Sequence, residues 1–154
     1  MEELTPTIAQ ILDPWLNAYA ARRTGRRRDR ILAVGERASA CLEAEFDRLA
    51  TDPERRLIDL ERQFGSDKPA GRAIASAALP GLLVLLTEDR WMPADPQDRK
   101  AQIQVLGALG NWMASGWNGW FASYCSVLTL QVEVDRLRER ERAALAVAHQ
   151  NGHH

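Results

Sequence analysis

Apolar residues return every three or four positions along most of this chain, and that interval marks out helices. Ile31, Val34, Ala38, Cys41/Leu42, Phe46 and Leu49 trace one face of a helix of about 25 residues. Leu57, Leu60 and Phe64 carry the pattern onto a shorter helix. From Trp120 the series Ser123, Val127, Leu130, Val134, Leu137, Glu141, Ala144 alternates steps of three and four, the spacing of a coiled-coil seam. Opposite charges three apart (Glu133/Arg136, Asp135/Arg138, Glu139/Arg142) support a solvated outer face on the same helix. Strict alternation of apolar and polar residues is absent, and no Asn-Gly or Asp-Gly hairpin turn occurs. The one strand-like piece, Leu82–Leu86 after Pro80-Gly81, has no partner strand and reads as a buried helical turn.

Punctuation agrees with this reading. Asp52-Pro53 and Asp95-Pro96 each place a capping acceptor before a proline at the first helical position, and Thr5-Pro6 and Asp13-Pro14 repeat the pattern. Gly25, Gly65 and the Gly116–Gly119 region are candidate stops or turns. The segment Asp89–Asp98 reads as a loop. The expected fold is all-α: a bundle of five or six helices ending in a long coiled-coil-like C-terminal helix. Residues 1–148 form one helical domain and 149–154 a frayed tail, since 154 residues suit a single core.

The most unusual stretch lies between the last two helical patterns. Ala101 to Val132 runs 32 residues without an Asp, Glu, Lys or Arg, in a chain of which 27% is charged. It holds three of the five tryptophans, Trp112, Trp117 and Trp120, together with Phe121 and Tyr124. A segment so long and aromatic is buried against the chain's own core, a partner or lipid. Its glycines, asparagines and glutamines (Gly107, Gly110, Gly116, Gly119, Asn111, Asn118, Gln102, Gln104, Gln131) argue against a membrane-spanning helix, so burial in protein is preferred. The four glycines would let another helix approach closely.

Charge is unevenly spread. Arg22, Arg23, Arg26, Arg27, Arg28 and Arg30 surround only Asp29, a local balance of +5 in a chain whose net charge is −1. Unbroken helix would stack Arg22, Arg26 and Arg30 in a row able to follow phosphates. A break at Thr24-Gly25 would instead set the cluster at the opening of the next helix, where it meets the positive end of the macrodipole. The simpler alternative is a solvated basic turn paired with Asp29 or Glu36.

Catalytic groups are scarce. The three histidines, His149, His153 and His154, all fall at the C-terminal end, so no haem or di-iron ligand set can be assembled within the bundle. No P-loop, G-x-S-x-G or H-E-x-x-H motif occurs. Cys41 and Cys125 lie on apolar helical faces, without a CxxC or a histidine to form thiolate. Glu43 and Glu45 sit on different faces of one helix. Neither catalytic residues, metal ligands nor a cofactor are expected, and the default setting is cytoplasmic. Trp117-Asn118-Gly119 resembles the Trp-x-Gly turn of small secreted helical-hairpin proteins over those three residues, with Tyr124 downstream. The chain is longer than that family's usual members and lacks a Tyr-x-x-x-Asp/Glu tail, so membership is not adopted.

The leading expectation is a non-catalytic helical subunit that forms a homo-oligomer or docks in a larger protein complex. Its interface would comprise Trp112, Trp117, Trp120, Phe121, Tyr124, Val127, Leu130, Val134 and Leu137, and Trp117→Ala or Leu137→Asp should disrupt association. Two alternatives stand beside it: a nucleic-acid-binding accessory subunit using the Arg22–Arg30 cluster, and a peripheral membrane protein with arginines on anionic headgroups.

Overall fold

The computed structural model describes residues 5–116 and 124–152, and in the second stretch side chains from 125 onward. The described residues form seven α-helices and three 3-10 turns: α1 (Ile8–Ala21), α2 (Gly25–Glu45), α3 (Asp52–Gln63), α4 (Pro69–Ala73), α5 (Leu79–Leu85), α6 (Pro96–Ser115) and α7 (Tyr124–Asn151). The all-α expectation holds. The helix number exceeds the expected five or six because α4 and α5 are too short to display a helical period, each being opened by a proline in its first turn. No strand occurs among the described residues. An isolated antiparallel bridge joins Thr7 to Ala75, through Ile8 N donating to Ile74 O at 3.0 Å and Ser76 N donating to Pro6 O at 2.8 Å.

Local chemistry explains most boundaries. Asp95 caps α6 as expected, its carboxylate accepting from Gln97 N and Asp98 N ahead of Pro96. For α3 the cap is Thr51 rather than Asp52: Thr51 and Glu54 satisfy each other's backbone N–H groups in a capping box, which puts Asp52 inside the first turn. The same device, Thr7 with Gln10, starts α1. Asp13-Pro14 starts nothing, because Pro14 lies within α1. It removes one backbone bond there, but Ile8, Leu12, Leu16 and Ala20 bury a continuous stripe across it, and that packing carries the helix through. Gly25 breaks α1 from α2 with φ +60°, a conformation costly for any residue with a Cβ, and Gly65 does the same after α3 at φ +70°.

α6 lies between α2 on one flank and α7 on the other. Its buried residues, Ala101, Gln102, Ile103, Val105, Leu106, Gly107, Leu109, Gly110 and Met113, run around most of the helix. This explains half of the uncharged stretch: a charge on almost any side of α6 would be desolvated. At Gly107 and Gly110 the helix admitted is the chain's own α7. A Cβ at Gly110 would stand 3.5 Å from both Gln131 Cγ and Leu130 Cδ2, and one at Gly107 would strike the Arg138 guanidinium. No helix among the described residues is long and apolar enough to cross a membrane.

One buried polar side chain ties the layers together. Gln102 Nε2 donates to Leu86 O at 2.9 Å and to Trp91 O at 3.0 Å, while its Oε1 accepts from Arg37 Nε at 2.6 Å. A fully buried amide thus links α6 to the end of α5, to the following turn and to α2. Burial lowers the Arg37 pKa, with Asp98 partly offsetting the effect, and Arg37 Nη2 finds no hydrogen-bond partner among the described residues.

Candidate interaction surfaces

α7 is the element on which the expected interface depends, and the structure divides it. Val127, Leu130, Val134 and Leu137 are buried on the side that meets α5 and α6. This corrects their assignment to a partner interface: the three-four seam is satisfied within the chain, and its knobs have no free surface to offer. Leu137→Asp would bury a carboxylate in the core and test folding instead of association. Trp117, Trp120 and Phe121 lie outside the described residues, as does the Tyr124 side chain. Trp112 is 38% exposed at the end of α6, with its ring centroid 6.4 Å from that of Trp15.

The exposed part of α7 is elsewhere. Arg99 Nε of α6 donates to Glu141 Oε1 at 3.0 Å, and that ion pair marks the end of the packed body. Every residue from 142 to 152 is exposed, and the helix continues to Asn151. At 1.5 Å per residue the projection from 142 to 151 is about 15 Å long. It contains Ala143, Ala144, Leu145, Ala146, Val147 and Ala148, with Leu145 69% exposed. The inward face continues along it, since Ala144, Leu145 and Ala148 follow Leu137 and Glu141 at helical spacing. Opposite them no described residue packs.

A second apolar face belongs to α3. Leu57, Leu60 and Phe64 share one side, as expected, but that side faces water, Phe64 being 81% exposed. Ile58 alone is buried from this helix, because α3 packs on the short α4 and presents little else to the body.

The basic cluster is set by the break at Thr24-Gly25. Arg22 and Arg23 close α1, while Arg26, Arg27, Arg28 and Arg30 open α2. Asp29 and Glu36 do not pair with them. Among the described residues the cluster's one ion pair is Arg30 Nε to Asp98 Oδ1, a loose 3.7 Å. Arg23 is held in place, donating to Tyr19 O at 2.8 Å with its guanidinium 3.9 Å from the Tyr19 ring centroid. Tyr19 in turn stacks on Trp15 at 4.8 Å between centroids.

Several acidic residues serve the fold. Glu43 accepts from Ala70 N at 2.8 Å and Gly71 N at 3.0 Å, clamping the start of α4 onto α2. Glu54 accepts from Ala75 N at 2.7 Å besides closing its capping box. Glu45 is buried between Arg48 and Arg90, each with a nitrogen 2.8 Å from a carboxylate oxygen, and Arg48 also reaches Glu88 at 3.1 Å. The Arg48 hydrogen bond holds the Glu45 carboxyl below the usual carboxylate range, assisted by the Arg90 charge. Burial, helped by the Glu45 and Glu88 charges, pushes the neighbouring Cys41 thiol up to about 12, so it stays protonated and unreactive at neutral pH. Sequence spacing missed the long-range half of these clamps, because Ala70 N and Gly71 N, Ala75 N, and Arg90 are brought to Glu43, Glu54 and Glu45 only by tertiary folding. A groove of about 550 Å3 between α1, α2 and α4 has a leucine floor and a rim of both charge signs, Asp13, Glu36 and Asp67 with Lys68 and Arg72. Among the described residues no group of three or more His, Cys, Asp or Glu could hold a metal ion.

Comparison with protein-family models, with curated proteins and with solved structures returns no match.

Proposed function

We propose that this chain is a non-catalytic helical assembly subunit that pairs with a second copy of itself through the projecting end of α7. The observation that carries the proposal is the continuation of the α7 seam beyond its packed partners. As far as Leu137 the seam is covered by α5 and α6; past Glu141 it runs on over Ala144, Leu145 and Ala148 in the open. Small and branched apolar residues at that spacing suit close helix–helix packing. Burying Leu145 would be favourable by about 1.5–3 kcal/mol per copy before the cost of association.

A second copy suits the surface because its charges are self-complementary. Glu139, Arg140, Glu141 and Arg142 alternate in sign at the base of the projection. An antiparallel pairing of two such helices can set each sign against its opposite, and a two-fold contact uses the same patch on both subunits. The exposed Leu128 and Val132, also on α7, offer further apolar area on the same element.

Light-scattering mass across a concentration series tests this. The expected result is a species of twice the 17.3 kDa chain mass, reduced to the monomer by Leu145→Asp with helical content unchanged. Leu145 is exposed in the isolated chain, so that substitution separates association from folding as Leu137→Asp cannot. A parent chain that scatters as a monomer throughout, or a Leu145→Asp variant that remains dimeric, overturns the proposal.

A further inference from the structure

The start of α2 carries more positive charge than the chain neutralises. Arg23, Arg27 and Arg30 recur at four- and three-residue steps and, with Lys100 from α6, line a cleft of about 170 Å3. Gln97 and Gln104 complete its polar wall. The cleft exists because the N-terminal halves of α2 and α6 run side by side, Arg30 reaching Asp98 and Arg37 reaching Gln102. Among the described residues Asp98 is the one carboxylate within ion-pair distance of these four cations, and its 3.7 Å separation from Arg30 exceeds hydrogen-bond length.

Three further features favour an anion. Arg23 is already fixed by its bond to Tyr19 O and its position over the Tyr19 ring, so its guanidinium gives up little freedom on binding. The first turn of α2 has no acidic residue, and the Thr24 side chain makes no capping bond, so the positive end of that helix adds to the same field. The amides of Gln97 and Gln104 supply neutral donors beside the charged ones. The cleft, about 170 Å3 and open to solvent, admits a phosphate or pyrophosphate group.

We infer that this cleft binds the phosphate group of a phosphate-bearing ligand, with Arg27, Arg30 and Lys100 as its charged contacts and Arg23 as a preset fourth. Arg22, Arg26 and Arg28 belong to the same basic cluster but lie outside the cleft lining. They therefore separate a built site from diffuse attraction to a basic surface, and the site is independent of the α7 pairing.

The test is calorimetric titration of the full chain with pyrophosphate, together with thermal melting in pyrophosphate and in chloride at equal ionic strength. Pyrophosphate should raise the melting temperature above the chloride control. Arg27→Gln and Lys100→Gln should each weaken binding by about tenfold or more, whereas Arg26→Gln should change it less than about twofold. Without ligand, Arg27→Gln should melt no lower than the parent, because it relieves repulsion among the cations. A short single-stranded oligonucleotide that displaces pyrophosphate assigns the phosphate to a nucleic-acid backbone; one that leaves it bound assigns it to a small phosphorylated molecule. No stabilisation beyond chloride, or equal losses from Arg26→Gln and Arg27→Gln, would overturn the inference.

Discussion

Gln102→Leu is the perturbation whose cost follows most directly from the structure. Leucine fills nearly the same space but can neither donate nor accept. The substitution removes the bonds to Leu86 O and Trp91 O, at 2.9 and 3.0 Å, and the bond that Arg37 Nε donates at 2.6 Å. Leu86 is fully buried. Leaving a buried polar group unsatisfied costs about 1–3 kcal/mol, and more where a charge is involved. Arg37 already has an unpaired Nη2 in a setting where burial lowers its pKa. Two carbonyls and one guanidinium, allowing for partial hydration of Trp91 and Arg37, give a loss of about 3–5 kcal/mol. Against a total stability of about 5–15 kcal/mol that is a large fraction. For a chain of this size it corresponds to a fall in melting temperature of roughly 8–15 °C. Urea unfolding followed by circular dichroism, with the slope unchanged, measures it. Arg37→Met in the Gln102→Leu background should recover about 1–2 kcal/mol, because it removes the charge the first change strands. A loss below about 1 kcal/mol for Gln102→Leu, or no recovery in the double variant, would refute the reasoning.

Other expectations follow from the same geometry. Of the two thiols, exposed Cys125 should react with a thiol reagent at pH 8 far faster than buried Cys41, whose labelling should wait for unfolding; equal rates would contradict the burial. Because the folded Cys41 pKa of about 12 lies above the unfolded value, its protonated thiol favours the fold below about pH 8.5 and progressively less as pH rises towards 12. Cys41→Ala should therefore flatten the alkaline loss of stability measured by urea midpoint. Glu45 acts in the opposite direction: its pKa is depressed, so its contribution is complete above the unfolded value of about 4.3 and is lost as pH falls through the lower folded value. Glu45→Gln should be less stable than the parent at pH 7, yet lose less stability between pH 5 and 3; parallel profiles would deny it that role. Glu43→Ala should cost about 2–3 kcal/mol by freeing Ala70 N and Gly71 N, read as a lower urea midpoint, and a change within about 0.5 kcal/mol would show that the clamp is dispensable.

Some features of this protein were set by the sequence alone, because they depend on neighbours within a turn or two. Apolar spacing determines α2 and α7; Asp95-Pro96 determines where α6 begins; and Gly25 divides the arginines between two helices, since only glycine adopts that backbone angle at little cost. Where a local signal was misread, as with Asp52 for Thr51, another local device one residue away prevailed. Periodicity also established that α7 has an apolar seam, but not what covers it. That depended on α5 and α6 arriving from elsewhere in the chain, and on both stopping short of Ala144. The outward turn of Leu57, Leu60 and Phe64 was hidden for the same reason: an amphipathic helix announces an apolar face without saying whether anything lies against it. The joining of Lys100 to Arg23, Arg27 and Arg30, and of Gln102 to Arg37, links positions about 65 to 77 residues apart, a separation beyond any helical period. Such pairings were decided only when the helices packed, because they are set by the crossing of two elements and not by the repeat within either.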